Sequence, residues 1–350
     1  MNAVTPTAKT APARARTPAS LLLDDEDLLE RVESRMRELA GNRAMDIGAH
    51  MVHEHLETGG KRIRASLALS TCRALGGRAD DAVDWAAAVE LLHNASLVHD
   101  DIQDGDQTRR GKAALWARYG AAQAINAGDL LLMLPFRALG RYPVKQQAVL
   151  VQILAEYGER TARGQIEEHA LTASAGSDWG AYFSAVSGKT GTLFALPVRG
   201  AAELAGVPAN YASDLARTFA TIGVLYQLQD DLLDLFDAKG RGARGSDIYE
   251  GRLTSVVLTH VDLHPNDAND VFAVLGKPRD ETTACEVGHL IDRFVEDGTT
   301  HQLLERIERL AAELLAADTL SAAPGIRAVA QALVHRVLAP LEIVKGAHRE

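Results

Sequence analysis

Two long apolar segments of the sequence end in the same arrangement of acidic residues. The first runs from Asp81 to Gln103 and leads into HDDIQD; the second runs from Asn210 to Phe236 and contains QLQDDLLD. Segments that are apolar nearly all round predict helices buried at the centre of a protein. Because buried carboxylates are costly unless they are paired with positive charge, each segment predicts a place that holds cations.

The aspartates are spaced so that each helix presents a pair of carboxylates on one face. Asp100 and Asp104 are four residues apart, as are Asp230 and Asp234, so their Cβ atoms lie about 5–6 Å apart in a helix. Magnesium fits such pairs best, since it takes oxygen ligands and is usually held by one or two carboxylates together with substrate phosphates. Neither cluster has the glycine and ligand spacing of an EF-hand. Solvated helix ends, or partners of nearby arginines, are the alternative interpretation of either cluster alone.

Basic residues that could bind phosphate accompany both acidic clusters. GGKRIR is predicted to start a helix after two glycines, where backbone N–H groups favour phosphate, and SGKT is predicted to start another after Gly188. SGKT lacks the upstream strand and the glycine spacing of a nucleotide-binding P-loop. His93 is equally compatible with a core histidine and with a phosphate donor, and His99 is predicted to be structural. The candidate basic residues are Lys61, Arg64, Arg109, Arg110, Lys189, Lys239, Arg241, Arg244 and Arg252.

The overall composition limits the fold class and the partners. A formal charge of -10 and a pI near 5.7 argue against broad attraction to nucleic acid or to an anionic membrane. The alanine and leucine bias, with 5% aromatic residues, indicates a mainly α-helical protein. No apolar run reaches about 18 residues, so no transmembrane helix is predicted. Cys72 and Cys285 are far apart and form no CxxC, which favours a reducing compartment.

The chain divides into a short tail and a long helical region. Residues 1–20, MNAVTPTAKTAPARARTPAS, contain alanine, threonine, proline and three basic residues but no acid, and predict a disordered tail. An organelle transit peptide, a signal for entry into a protein compartment, or a segment that docks on a partner would have a similar composition. Residues 21–350 predict one all-helical domain made of amphipathic helices separated by short glycine or proline breaks.

The motifs, taken together, resemble those of a known enzyme family. GGKRIR, LLHNASLVHDDIQDGDQTRRG, GKT, YQLQDDLLD and GSDIYEGRLT are similar in order and spacing to the motifs of trans-isoprenyl diphosphate synthases (polyprenyl synthetases), and among these to geranylgeranyl diphosphate synthases. The resemblance extends from about Leu21 to the C-terminus. It implies a single bundle of long helices around a central apolar cavity, commonly a homodimer, with the two acidic motifs facing each other across the mouth of the cavity. It also implies three magnesium ions in the active site and, with the two separate cysteines, a cytoplasmic enzyme.

The resemblance implies roles for individual residues of these motifs. The metal ligands would be Asp100 and Asp104 on one wall and Asp230 on the other, with Asp231 and Asp234 in support. Isopentenyl diphosphate would be held by Lys61, Arg64, His93 and Arg110. The allylic diphosphate would be held by Arg109, Lys189, Thr190 and Gln227, with Arg244 and Arg252 as further diphosphate contacts. The residues closest to the chemistry would be Asp100, Asp101, Asp104, Lys189 and Asp230.

Three features of the sequence depart from the family pattern. Ala65 occupies the place of a proline that usually follows GGKxxR, and arginines at 241, 244 and 252 replace the usual lysines. A Pro-Thr-x-His stretch after RRG is replaced by Ala113, Ala114, Leu115 and Trp116, a change we take as neutral. Arginine keeps the positive charge, so diphosphate binding is expected to survive, although the arginine that makes the contact is left open.

The implied reaction is head-to-tail condensation of isopentenyl diphosphate with an allylic diphosphate. Ala95 and Ser96, about one turn before Asp100, are small, and Leu92 a further turn down would form part of the cavity floor. Absence of the aromatic residues that stop growth at fifteen carbons in this family predicts a twenty-carbon product. Longer products, a fifteen-carbon product, a class I terpene cyclase and a non-catalytic partner subunit are the alternatives, but a cyclase would lack GGKxxR and a non-catalytic partner would have degraded metal motifs.

Overall fold

The computed structural model describes residues 25–171, 178–236, 244–342 and 344. The predicted tail, residues 1–20, and the candidates Lys239 and Arg241 lie outside these ranges. The helices are α1 (Glu26–Ala40), α2 (Ile47–Leu56), α3 (Ile63–Ala74), α4 (Val83–Gln103), α5 (Leu115–Tyr119), α6 (Ala121–Ala138), α7 (Val144–Ala170), α8 (Trp179–Val186), α9 (Thr192–Leu204), α10 (Ala209–Asp234), α11 (Ser246–Tyr249), α12 (Ser255–Leu263), α13 (Ala268–Leu275), α14 (Ala284–Glu296), α15 (Thr299–Leu315), α16 (Asp318–Ser321) and α17 (Pro324–Leu338). The prediction of an all-α bundle is confirmed.

The two helices that carry the acidic clusters are each surrounded by an apolar core. One core packs around α4 with side chains of α1, α2, α6 and α7, and the other packs around α10 with side chains of α8, α12, α15 and α17. Helices α3 and α9 contribute to both cores. Helix α9 packs closely on α4, because a Cβ added at Gly200 would overlap the ring of Trp85. This close approach requires glycine at position 200.

Several helices begin at residues whose side chains cap the first turn. Asp25, Asp46, Asp178 and Thr254 each accept a hydrogen bond from a backbone N–H of the helix that follows. Thr283 and Glu286 form a reciprocal capping box at the start of α14. Such caps satisfy amide groups that have no partner within the helix. Among the described residues, no helix is both long and apolar enough to cross a membrane.

The RRG motif forms a short hairpin rather than a helix end. Strands β1 (Thr108–Arg109) and β2 (Lys112–Ala113) pair antiparallel, and the two residues that join them have φ of 51° at Arg110 and 78° at Gly111. Positive φ at both central residues defines a type I′ turn. A left-handed arginine costs about 1 kcal/mol or more, which indicates that the position of the Arg110 side chain matters.

The prediction that SGKT starts a helix is wrong. Ser187–Gly191 form a π-helical turn that continues α8 into α9 without a break. The glycines serve close packing instead: a Cβ added at Gly164 of α7 would overlap the Lys189 amide nitrogen, and one added at Gly223 of α10 would lie 2.6 Å from the Gly191 Cα. We call Ser187–Gly191 the π turn. It is wedged between α7 and α10 by backbone-to-backbone contact on both sides.

Candidate active site

The first acidic cluster lies at the C-terminal end of α4. Asp104 is the C-cap residue, and its amide donates to the Asp100 carbonyl at 2.8 Å. Burial raises the pKa of the Asp100 carboxyl to about 6, with Asp104 and Glu168 adding to the shift and Lys189 opposing it. The charge of the Asp100 carboxylate is therefore not fully compensated by the protein.

A third carboxylate of the same cluster has a dedicated partner. Asp101 is 1% exposed, and the Arg109 Nε donates to its Oδ1 at 2.8 Å. Arg109 lies on β1 of the hairpin, so this ion pair fastens the RRG motif to the end of α4. Burial raises the pKa of both carboxyls, and a cation opposes the shift in each case: Arg109 at Asp101 and Lys189 at Asp100.

The second acidic cluster, at the end of α10, is largely committed to protein hydrogen bonds. Asp231 Oδ2 accepts from the Tyr182 hydroxyl at 2.7 Å and from the amide and hydroxyl of Ser255 at 2.8 and 2.9 Å. These bonds join α10 to α8 and α12. Asp231 therefore positions the helices around the cleft.

Asp234 makes a similar connection one turn further along α10. Its carboxylate accepts from the Ser246 hydroxyl at 2.7 Å and from the Asp247 amide at 3.0 Å, which joins α10 to α11. Asp230 is half-buried at the same helix end. The second motif thus holds the surrounding segments together through two of its three aspartates.

One aspartate of each cluster lines a single cleft of about 340 Å³, and the other predicted ligands, Asp100 and Asp230, are not among its lining residues. Asp104 of α4 and Asp231 of α10 contribute to its lining, together with Glu168, Gln227 and Arg252. Arg252 Nη2 lies 2.8 Å from Asp104 Oδ1 and Arg252 Nε lies 2.7 Å from Glu250 Oε2. Although burial opposes its charge, the carboxylates of Asp104 and Glu250 raise the pKa of Arg252 further. Arg252 thus spans the opening between the first cluster and the segment after the second.

The π turn supplies a lysine and a threonine to the same region. Lys189 pairs with Glu168 of α7; burial works against its charge, but Glu168 and Asp100 raise its pKa. Thr190 Oγ1 donates to Gln227 Oε1 at 3.3 Å, and Gln227 Nε2 donates to Asp231 Oδ1 at 2.9 Å. A hydrogen-bonded chain therefore connects the π turn to the second acidic cluster.

A second group of basic side chains converges around His93. Burial is the main cause that lowers the pKa of His93 well below its usual range, followed by the positive charges of Arg64, Arg110 and Arg109. His93 Nδ1 and Arg64 Nε are buried and make no hydrogen bond within the described residues. The Arg110 guanidinium lies against Gly60, where a Cβ would come within 2.6 Å of Nη1. Unsatisfied buried polar groups beside three guanidinium groups are suited to an anion.

The glycine-rich entry to α3 has a strained backbone. Gly59, Gly60 and Arg62 all have positive φ, and Lys61 between them is exposed. Arg62 is 9% exposed and its Nε lies 3.2 Å from Glu33 Oε1. The predicted helix start is confirmed only in part, since α3 begins at Ile63, after Lys61.

Glu90 explains the alanine that replaces the usual proline. Glu90 is 2% exposed within the apolar α4, and its Oε1 accepts from the Ala65 amide at 3.0 Å. Proline has no N–H and could not make this bond. The other carboxylate oxygen of Glu90, Oε2, lies 3.9 Å from Arg62 Nη1. Glu90 therefore ties the first turn of α3 to α4.

The remaining basic candidates occupy different positions. Arg244 Nε donates to the Leu235 carbonyl at 2.6 Å, so its side chain binds the C-terminal end of α10. His99 is close to α6, where a Cβ added at Gly128 would lie 2.5 Å from its Nε2, and the same nitrogen is 3.5 Å from Asp129 Oδ1. The packing of His99 agrees with a structural role.

Leu92, Ala95 and Ser96, which precede Asp100 on α4, form a small wall. Ala95 and Leu92 are 1% and 7% exposed, and Ser96 Oγ donates to the His93 carbonyl at 2.8 Å, so its hydroxyl is satisfied within α4. Leu92 Cδ1 would lie 3.8 Å from a Cβ added at Gly158 of α7. The wall, which we call the α4 wall, therefore ends where Leu92 meets Gly158.

Sequence patterns did not identify four acidic or hydroxyl groups that organise the site. Glu168, Tyr182 and Ser255 hold Lys189 and Asp231 through contacts between residues 21 to 49 positions apart in the chain. Such distant pairs leave no local pattern. The fourth, Glu90, did leave a signal, because it is a carboxylate within an otherwise apolar part of α4.

Comparison with known proteins identifies one family. A family model described as "Polyprenyl synthetase" matches residues 46–291. A short chain isoprenyl diphosphate synthase of Methanothermobacter thermautotrophicus is 34% identical over 271 residues, which cover 75% of this chain and 82% of that protein. A geranylgeranyl diphosphate synthase of Methanosarcina mazei is 32% identical over 208 residues, covering 58% of this chain and 64% of that protein.

A solved structure has a similar fold over nearly its whole length. The crystal structure of a polyprenyl synthase from Caulobacter crescentus CB15, complexed with calcium and isoprenyl diphosphate, superposes with a TM-score of 0.81 at 25% identity. The alignment covers 93% of this chain and 99% of that one. The similarity therefore extends over both halves of the helical bundle.

Removing the charge of Asp100 should stabilise the metal-free protein. A carboxyl whose pKa is raised on folding destabilises the folded state above that pKa, and the penalty disappears as the pH falls below the ordinary value near 4. At pH 8 in chelator, we expect Asp100→Asn to raise the free energy of unfolding by about 1–3 kcal/mol, reduced for partial exposure. Denaturant unfolding at pH 8 and pH 5 checks this, and the gain in the free energy of unfolding should be smaller at pH 5.

Asp106→Asn, at an exposed acid nearby, is the control. Equal stability of the two variants would contradict the prediction.

Proposed function

The chain belongs to the polyprenyl synthetase family and is an isoprenyl diphosphate synthase, and we propose that it condenses isopentenyl diphosphate with an allylic diphosphate, head to tail, in a magnesium-dependent reaction. One observation carries the proposal: acidic residues from the ends of α4 and α10 line a single cleft, which Arg252 spans through its contact with Asp104. A terpene cyclase or a non-catalytic partner subunit is not supported by the relatives, which are named as synthases.

The donor set of the cleft suits magnesium. Carboxylate oxygens are the ligands that magnesium prefers, and burial, with Asp104 and Glu168 adding to it, raises the pKa of Asp100, so a bound cation would stabilise the charged carboxylate. We assign Asp100, Asp104 and Asp230 as the residues that would hold up to three ions, with Asp231 and Asp234 in support. When bound, magnesium would neutralise charge on the diphosphate as its C–O bond breaks. The Caulobacter crescentus protein, which was crystallised with calcium and isoprenyl diphosphate, supports a divalent ion at this type of site.

The allylic diphosphate would be bound by cations that pair with acids around the cleft. Lys189 contacts Glu168 and Arg252 contacts Asp104, and both side chains can turn to phosphate oxygens once a diphosphate enters. Arg252 supplies the positive group expected of the usual lysine, and its planar guanidinium can contact two phosphate oxygens at once.

Three further groups would complete the allylic site. Arg109 is oriented by its bond to Asp101, so its remaining N–H groups are held in a fixed direction. Thr190 and Gln227, joined by a hydrogen bond, would donate from the opposite side of the cleft. The diphosphate would thus be held by groups from the hairpin, the π turn and α10.

Isopentenyl diphosphate would occupy the second basic group. Arg64, His93 and Arg110 converge there, and the buried Arg64 Nε and His93 Nδ1 find no hydrogen-bond partner among the described residues. Lys61 lies on the loop beside Gly60, which contacts Arg110. Binding the diphosphate here would hold the isopentenyl double bond close to the allylic carbon, so that positioning replaces a chance encounter.

The reaction needs an interior without nucleophiles. As the allylic C–O bond breaks, the isopentenyl double bond attacks the allylic carbon, a new C–C bond forms, and a proton leaves to the departing diphosphate. The apolar side chains of α4 below Asp100 exclude water, which would otherwise capture the carbocation. The Ser96 hydroxyl is held by a backbone carbonyl of its own helix, which reduces its ability to react.

We propose a twenty-carbon product. Ala95 and Ser96 leave room one turn below Asp100, and the contact between Leu92 and Gly158 would close the cavity a further turn down. Each helical turn adds about 5.4 Å, close to the length of one isoprene unit. The name of the Methanosarcina mazei relative, a geranylgeranyl diphosphate synthase, supports this length.

We also propose that the enzyme is a cytoplasmic homodimer. Ile125, Met133 and Phe136 form an exposed apolar row on α6, 44%, 52% and 36% exposed, which we call the α6 row. An apolar row of this kind is typical of a helix that packs against a second subunit. Cys72 and Cys285 are free thiols, as is usual in a reducing compartment.

Incubation of the purified protein with magnesium, isopentenyl diphosphate and primers of five, ten and fifteen carbons should yield a twenty-carbon diphosphate by mass spectrometry. Chelation of the metal should abolish turnover, and Asp104→Asn should lower kcat on the order of 100-fold because charge stabilisation in the transition state is lost. Asp318→Asn, at an exposed acid of α16, should leave kcat unchanged. Turnover without a divalent ion would exclude the proposed mechanism.

Changes at the α4 wall should alter product length. Ala95→Phe should stop growth at fifteen carbons because the ring fills the space below Asp100, whereas Leu92→Ala should lengthen the product by opening the floor toward Gly158. Leu91→Ala removes the same number of atoms from a neighbouring, fully buried position and should not change the length. An unchanged product distribution in both wall variants would count against this floor.

A charge in the α6 row should separate the subunits. Met133→Glu places an ionised group in the proposed interface, where burial of an unpaired charge is costly. Light scattering after size exclusion should give the dimer mass for the unchanged protein and the monomer mass for the variant. Leu263→Glu, at an exposed leucine of α12, is the control and should remain dimeric. A monomeric unchanged protein would refute the homodimer.

A further inference from the structure

We propose that the C-terminal end of α12 carries a second metal site, formed by His260, His264, Asp297 and Asp267, that binds a zinc-class transition-metal ion. None of these four residues lines the acidic cleft. The inference does not depend on the proposed function.

The first three residues bring suitable ligand atoms together. One ring nitrogen of His260, one of His264 and a carboxylate oxygen of Asp297 lie within 4.8 Å of one another. The histidines are four residues apart, His260 in the last turn of α12 and His264 at its C-cap, and their ring centroids are 4.9 Å apart. Ligand atoms around a tetrahedral zinc ion are about 3.3 Å apart, so small side-chain rotations would close the site.

His260 is held as metal-binding histidines usually are. Its Nδ1 lies 2.9 Å from Thr299 Oγ1, which fixes the ring and leaves Nε2 for a ligand. His260 is 0% exposed, and within the part of the chain that the structure describes its Nε2 makes no hydrogen bond of normal geometry; Asp267 Oδ2, at 3.5 Å, faces this nitrogen. A buried nitrogen without a hydrogen bond is costly. A metal ion would satisfy it, while Thr299 provides the supporting contact typical of such sites.

Asp267 lies beside His260 and would supply a fourth donor after a side-chain shift, since it is outside the group of mutually close ligand atoms that the other three form. Its Oδ2 lies 3.5 Å from His260 Nε2, close to the separation of two ligands on one tetrahedral ion. Arg293 Nη1 lies 3.8 Å from the same oxygen and is the positive group with which the ion would compete. His264 Nε2 lies 3.2 Å from the Asp297 carbonyl, so the ring of His264 is already directed to the Asp297 segment.

The donors distinguish this site from the acidic cleft. Imidazole with carboxylate suits zinc, cobalt and nickel, whereas magnesium prefers oxygen ligands alone. The ion would join the end of α12 to the segments after it and after α14. Because Ser255 at the start of α12 binds Asp231, fixing the far end of this helix would also steady a neighbour of the cleft.

Zinc binding can be measured with the full chain in excess magnesium, which would compete with zinc for sites made of carboxylates alone. The Cys285→Ser background removes an exposed thiol whose Sγ lies 4.0 Å from His289 Nε2 and which could bind zinc itself. Isothermal titration should show one zinc ion per chain in this background. Zinc should also raise the melting temperature, because it binds the folded state. Cobalt should give the visible absorption of a tetrahedral site.

His264→Gln should abolish this binding and the zinc-dependent rise in melting temperature, and Asp297→Asn should weaken binding by about 10-fold or more. These partly or fully exposed positions are chosen because His260 is buried and its replacement could prevent folding. His301→Gln, at an exposed histidine of α15, should bind zinc normally. Equal zinc affinity of His264→Gln and the background, or no zinc binding by the background, would overturn the proposal.

Discussion

The site depends on keeping several carboxylates close together around one cleft, although their negative charges repel each other. Repulsion between them is offset by positive groups from distant parts of the chain: Arg109 neutralises Asp101, Lys189 pairs with Glu168, and Arg252 reaches Asp104. The balance is incomplete at Asp100, whose pKa is raised chiefly by burial. The buried negative charge of Asp100 therefore destabilises the metal-free protein, at the place where cations are expected to bind.

The two acidic motifs look alike in sequence but have different structural surroundings. Asp231 and Asp234 accept hydrogen bonds from hydroxyl and amide donors of three other helices, so they hold these helices against α10. In the first motif, at the end of α4, Arg109 forms an ion pair with Asp101, and Arg252 forms one with Asp104 across the opening of the cleft. Adjacent residues of one aspartate motif therefore differ in what they contact, and in the second motif two of them hold other helices in place.

The sequence predicted the features that depend on periodicity and missed those that depend on chain crossings. The apolar period identified α4 and α10, and the i,i+4 spacing identified their carboxylate pairs. The sequence did not predict the π turn. A glycine that allows two backbones to touch cannot be told from a glycine at the start of a helix by sequence pattern alone. Glu168 and Ser255 were missed because their partners are 21 and 24 residues away. The Arg110 hairpin was missed because Arg-Gly is an uncommon type I′ pair.

Glycine contacts on both sides of the π turn have a consequence for how such an enzyme can vary. Gly164 and Gly223 allow backbone to touch backbone, and Glu168 and Gln227 lie one helical turn beyond these contacts. The spacing of the reactive groups is thus set by main-chain dimensions, which side-chain replacement elsewhere does not change. In the proposed site, depth would be set by side chains such as Leu92. Catalytic geometry and product size would then be adjustable as separate properties of one scaffold.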